Sequence, residues 1–155
     1  MDLSDLISPA SIVPALKAQS KKQVLQELCA RVARRTGLSE REIFDTILQR
    51  EKLGSTGVGH GVAIPHGKLH SIDTITGEFA RLPKPVDFDA LDDQPVDLVF
   101  LLLAPESAGA DHLKALARIA RVLRDQSIAR KIRACSDADA VYALLVEAAP
   151  ASDAA

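Results

Sequence analysis

Apolar and polar residues alternate along the chain in two different rhythms. Val24, Leu25, Leu28 and Val32 recur at helical spacing, Ser20 can cap that segment and Gly37 can end it, which predicts a helix to about Arg35. Ser39 with Glu42 makes a capping-box pattern ahead of Ile43, Phe44, Ile47 and Leu48, a second apolar stripe that Gly54 stops. Arg50 and Lys52 fall in its last turn, where positive charge suits the helix dipole. Four glycines between Gly54 and Gly61 then break the periodicity and predict a loop. Val62 to Ile64 reads as a short strand stopped by Pro65, and Ile75 to Leu82 as another, with Pro83 and Pro85 punctuating the loop that follows.

The run Val96 to Ala104, between Pro95 and Pro105, is continuously apolar and suits a strand covered on both faces. Asp111 can cap a helix carrying Leu113, Leu116, Ala117, Ile119, Ala120 and Leu123. Shorter helices follow over Ser127 to Ala134 and Asp137 to Glu147, while residues 1–10 read as a loop leading into Ile12 and Val13. Helices alternating with strands around one buried strand predict an α/β sandwich. No internal repeat appears. Residues 1–150 form the expected single domain, and 151–155 a short flexible tail.

Composition narrows this picture. A chain of 155 residues is one domain on length, large enough to bury roughly 70% of its unfolded surface without staples. With four Phe, one Tyr and no Trp, the core must be aliphatic, and stacking platforms for single-stranded nucleic acid are not expected. The formal charge of -2 gives no global attraction to nucleic acid or membranes. Arg118, Arg121, Arg124, Arg130, Lys131 and Arg133 make a local basic stripe, either a solvated helix face or a docking patch for an acidic partner. Cys29 and Cys135 form no C-x-x-C pair and read as reduced thiols. No signal peptide is visible, and the longest apolar run is too short to span a bilayer. A cytoplasmic protein without membrane insertion is expected.

The candidate chemistry lies among four histidines, His60, His66, His70 and His112. The first three have no acidic or cysteine ligand among them, so no metal is expected. Gly61 to Leu69 imitates a P-loop, but five residues separate its glycines and Leu69 replaces the magnesium-binding hydroxyl. Gly57-Val58-Gly59 does not follow a strand, as a dinucleotide fingerprint would, and Ser55 lacks the G-x-S-x-G context of a hydrolase.

A lone histidine is usually structural, yet His66 has unusual neighbours. Pro65 stiffens the backbone before it, Gly67 removes bulk after it, and the loop offers N–H groups, with the hydroxyls of Ser55 and Thr56, to an anion. Within that loop, Gly57 and Gly59 are candidate backbone donors. These parts suit a phosphohistidine. Imidazole, with an ordinary pKa of about 6.5, is a good nucleophile near neutral pH. Phosphoryl transfer chiefly requires alignment and donors around the oxygens. Arg50 could supply a fork of donors, and His112 sits at a helix start that favours negative charge.

The segment Arg50 to Lys68, REKLGSTGVGHGVAIPHGK, closely resembles the signature of IIA components of the bacterial phosphoenolpyruvate-dependent phosphotransferase system, mannitol/fructose class. The resemblance covers nearly the whole chain. Gln19 to Lys22, Leu91 to Phe100 and Asp111 to Leu113 look most like its nitrogen-regulatory branch. It implies a mixed five-stranded sheet with helices on both faces. It also implies a phosphotransferase role in which His66 accepts a phosphoryl group on Nε2 from an HPr-like carrier. Arg50 would help bind that group, His112 would be a second active-site histidine, and no cofactor would be needed. His60 falls at the pocket rim on this reading, and His70 has no role.

No attached IIB or membrane domain is expected, and regulation of target proteins is the expected output. The alternatives are a sugar-permease IIA passing phosphate to a IIB domain, and a non-catalytic binding module in which His66 is only a contact residue.

Overall fold

The computed structural model describes residues 2–147. Two short 3-10 turns, Leu3–Asp5 and Pro9–Ser11, precede strand β1 (Ile12–Val13). Helices α1 (Lys21–Thr36) and α2 (Glu40–Leu53) follow, then strands β2 (Gly57–Gly59), β3 (Val62–Ala63), β4 (His66–Leu69), β5 (Thr76–Val86) and β6 (Val96–Pro105). After a third 3-10 turn come α3 (Asp111–Arg124), α4 (Gln126–Arg133) and α5 (Ala138–Glu147). The expected boundary at residue 150 and the tail at 151–155 lie outside the described residues.

The sheet has six strands in the order β1-β5-β6-β3-β2, with β4 also paired to β6. It is mixed: β1 lies parallel to β5, and β3 and β4 lie parallel to β6, whereas the β5–β6 and β2–β3 pairs are antiparallel. As its apolar run predicted, β6 is buried on both faces. Val99, Leu101 and Leu103 join α1 and α2 in one core around Leu28, Val32, Ile43 and Ile47. Leu98, Phe100 and Leu102 point the other way, into a core with Ile119, Leu123, Ile132, Val141 and Leu145 of α3, α4 and α5. Burying such a side chain contributes about 1.5–3 kcal/mol, so the two layers fix β6 as the axis of the domain.

Local signals set most boundaries. Ser20 and Ser39 accept the N–H groups of Gln23 and Glu42, and Gly37 ends α1 at a φ of 77°. Other expectations need correction. The stretch holding Pro83 and Pro85 is still strand: between the pairs Arg81–Leu98 and Val86–Val96, β5 has more residues than β6, and the prolines fall in that bulge. Asp111 is the first residue of α3 and not its cap; that position falls to Ala110, which makes no side-chain cap hydrogen bond. Asp125 does cap, accepting the N–H groups of Ser127 and Ile128 at the start of α4.

Both cysteines are free; burial, helped by the Glu40 charge, pushes the Cys29 thiol up to about 12, which leaves it inert. Among the described residues no helix is long and apolar enough to cross a membrane.

Candidate functional site

His66 opens a strand instead of riding a loop. β3 and β4 run along the same edge of β6 with one offset, Val62 opposite Leu98 and His66 opposite Leu102. They are one parallel strand interrupted at Ile64 and Pro65. Proline has no N–H to give, but the β6 edge asks only for its carbonyl, which accepts the Leu102 N–H at 2.9 Å. The ladder therefore holds His66 rigidly beside the core.

Gly67 brings the second element in. A Cβ there would lie 2.8 Å from Thr46 Cγ2, so only glycine lets α2 pack this closely on β4. Thr46, Gln49, Arg50 and Leu53, spaced i, i+3, i+4 and i+7, form one face of α2. With His66, Gly67, Lys68 and His112 they line an open hollow of about 440 Å³. The glycine thus makes room for a helix, where the sequence suggested room for a visiting group.

Within the hollow the hydrogen bonds fix a tautomer. His66 Nδ1 lies 3.0 Å from the Ile64 carbonyl, which can only accept, so Nδ1 carries the proton. Its Nε2 keeps a lone pair, toward which Arg50 Nε donates at 3.3 Å. Arg50 is itself steadied by donating from Nη1 to the Gly54 carbonyl at 2.8 Å. The His66 ring is half-buried, within reach of a visiting molecule.

The His112 ring stands 5.8 Å from that of His66, tilted by 48°. Its Nδ1 is buried without a hydrogen-bond partner. Burying an unpaired N–H costs more than burying a bare lone pair, which puts the proton on Nε2 and makes that nitrogen a donor. Burial first, then the Lys68 and His66 charges, hold His112 below the usual imidazole range and so keep it neutral.

The structure brings Arg50, His66 and His112 together but leaves the glycine-rich donors out, a correction to the expected cradle. Ser55 donates to the Phe88 carbonyl at 2.6 Å and accepts the Gly57 N–H. Thr56 is buried, giving both its N–H and its hydroxyl to Glu51. Glu51 in turn pairs with Lys21 at 2.8 Å. Gly57 and Gly59 belong to β2, and a Cβ on Gly57 would collide with Ala90. These residues latch the chain over the end of α2, and none of them lines the hollow.

His60 is also displaced from its expected rim. It sits in the β2–β3 turn near the start of β6, whereas His66 pairs near its end. His70 is exposed and outside the hollow.

Thr46, Gln49, Leu53 and Lys68 were missed from sequence. Projecting the helical face of Arg50 would have found the first three, and Lys68 follows from β4 being a strand. Among the described residues no group of three or more His, Cys, Asp or Glu side chains is gathered to hold a metal.

Comparison with known proteins gives the family of the chain. The chain is 65% identical over 145 residues to a nitrogen regulatory protein of Bradyrhizobium diazoefficiens, covering 94% of this chain and 95% of the relative. It is 39% identical to the nitrogen regulatory protein of Escherichia coli, with 95% and 91% covered. The crystal structure of nitrogen regulatory protein IIA-Ntr from Neisseria meningitidis superposes with a TM-score of 0.88 at 39% identity, over 92% of this chain and 98% of that one. Residues 5–148 match the family model described as phosphoenolpyruvate-dependent sugar phosphotransferase system, EIIA 2, and the chain belongs to that family.

Proposed function

We propose that this protein is a cytoplasmic phosphocarrier of the nitrogen-regulatory type, which takes a phosphoryl group onto His66 Nε2 from a histidine of an HPr-like protein. The observation that carries the reading is the fixed tautomer of His66, with its proton on the Ile64 carbonyl and its free lone pair beside Arg50. The Nε2 lone pair attacks phosphorus in line. A P–N bond forms on His66 as the donor's P–N bond breaks, and that electron pair returns to the donor's ring. His66 becomes an N-phosphorylated imidazolium whose Nδ1–H stays on the Ile64 carbonyl.

Arg50, Lys68 and the Nε2–H of His112 supply positive charge and donors for the phosphoryl oxygens. Leu53, 85% exposed, lines this hollow, and Leu113, 61% exposed, follows His112 in α3; both suit an apolar contact with a protein donor. An added phosphoryl group brings roughly two negative charges to a cationic hollow, enough to change which partner binds there. Target proteins regulated in this way fit the likeness to the nitrogen regulatory relatives.

Incubation with a phosphorylated HPr-like carrier, read by intact mass spectrometry, tests this. The mass of one phosphoryl group should appear on the protein and be missing from His66→Ala. Label that persists in that variant refutes the assignment.

A further inference from the structure

At the opposite end of β6 a second hollow, about 230 Å³, is lined by His60, Leu123, Gln126, Ala129, Arg130 and Arg133. Gln126, Ala129, Arg130 and Arg133 again follow i, i+3, i+4 and i+7 spacing, one face of α4 turned toward a histidine. We infer that this hollow binds a small multivalent oxyanion, a phosphate or a short dicarboxylate, between His60, Gln126 and Arg130, with Arg133 holding the His60 turn in place.

His60 is held in place by three contacts. Its N–H donates to Asp92 at 3.0 Å, its carbonyl accepts from Arg133 Nη2 at 2.8 Å, and its ring Nδ1 lies 3.4 Å from the Gln126 amide nitrogen. An amide nitrogen only donates, so Nδ1 accepts and the ring proton sits on Nε2, leaving an N–H donor. His60 also adopts a φ of 55°, beside Gly61 at 79°, in a two-residue hairpin turn where Asn or Gly is the usual occupant.

The charge in the hollow favours an anion. None of its lining residues is acidic, and the nearby carboxylates are committed elsewhere. Asp97 takes the Arg133 guanidinium at 2.9 Å, Asp92 takes the His60 N–H, and Asp125 takes the first N–H groups of α4. The attraction therefore rests on side chains and not on the helix end, which Asp125 already neutralises. Arg130 is exposed and makes no ion pair among the described residues, so its donors are available to a ligand. Its planar fork suits both phosphate and carboxylate. This site is separate from the His66 hollow and does not depend on its role.

The test is a titration with inorganic phosphate, and separately with malonate, at ionic strength held constant with sodium chloride. It is followed by amide NMR in an Arg50→Gln background, which weakens anion binding at the other hollow. Saturable shifts should centre on Gly61 and the Gln126 side-chain amide, and Arg130→Gln should weaken the affinity about tenfold. Because Arg130 is exposed, that variant should melt like its parent. Saturation by phosphate alone assigns a tetrahedral ligand, and saturation by malonate alone a planar one. Shifts that stay linear, that centre on Gly67 and His112, or that ignore Arg130→Gln overturn the inference.

Discussion

The two ends of β6 are built alike and yet prepared for different work. Each sets a histidine against one face of a helix that carries an arginine: His66 against α2, His60 against α4. At the His66 end the strand ladder holds the histidine, its Nδ1 proton is tied to a main-chain carbonyl, and the free nitrogen keeps a lone pair. At the His60 end a turn holds the histidine, its Nδ1 is the acceptor, and the free nitrogen bears a proton. A lone pair can form a covalent bond, whereas an N–H can only donate a hydrogen bond. Reversing the tautomer thus separates a place where a phosphoryl group can be carried from a place where an anion can merely rest.

The largest effect should come from exchanging the two histidines as targets. His66→Ala should lose all phosphoryl incorporation from the carrier, and His60→Ala should keep it within about twofold, both read by mass spectrometry under identical conditions. Loss of incorporation in His60→Ala would remove the distinction between the ends. The next effect concerns the arginines. Arg50→Gln removes a preorganised donor beside the reacting nitrogen and should slow phosphorylation by about 10²-fold. Arg130→Gln, at the far end, should leave the initial rate unchanged in a quench-flow assay.

A smaller effect separates close approach from chemistry. A Cβ on Gly61 would meet Arg133 Nη2 at 2.6 Å and Asp97 Oδ1 at 2.9 Å, at a φ of 79° that L-residues resist. Gly61→Ala should cost about 1–3 kcal/mol in urea unfolding, while the folded fraction still takes up phosphoryl groups. Gly67→Ala should do the reverse. Pushing Thr46 away displaces the face that carries Arg50, so the transfer rate should fall more than stability does.

The helices and β6 were legible because their signals are local: Ser20, Ser39 and Gly37 act through their own backbone, and the β6 run is apolar whichever strand lies beside it. β2 and β4 were not. His66-Gly67-Lys68-Leu69 has no β-branched residue and is a strand only because β6 continues the register begun by β3. The prolines of β5 misled for a related reason, since a bulge is visible only once the partner strand is known. The candidate site divides along the same line. Arg50, His66 and His112, which share one hollow, were singled out by residue chemistry and by likeness. Ser55 and Thr56 were misjudged because their acceptors, the Phe88 carbonyl and Glu51, become neighbours only through folding.

The smallest effect is a dependence of stability on pH, and it too distinguishes the ends. In the native state burial, then the Lys68 and His66 charges, depress the pKa of His112, so the unfolded chain binds that proton more readily. The stabilising contribution is complete above the unfolded value of about 6.5 and is lost as pH falls toward the depressed native value. The urea midpoint should therefore drop between neutral and mildly acid pH, and His112→Gln, which cannot titrate, should flatten the drop. If His112→Gln kept the full drop, a neutral His112 with its Nδ1 buried would no longer set the His66 end apart.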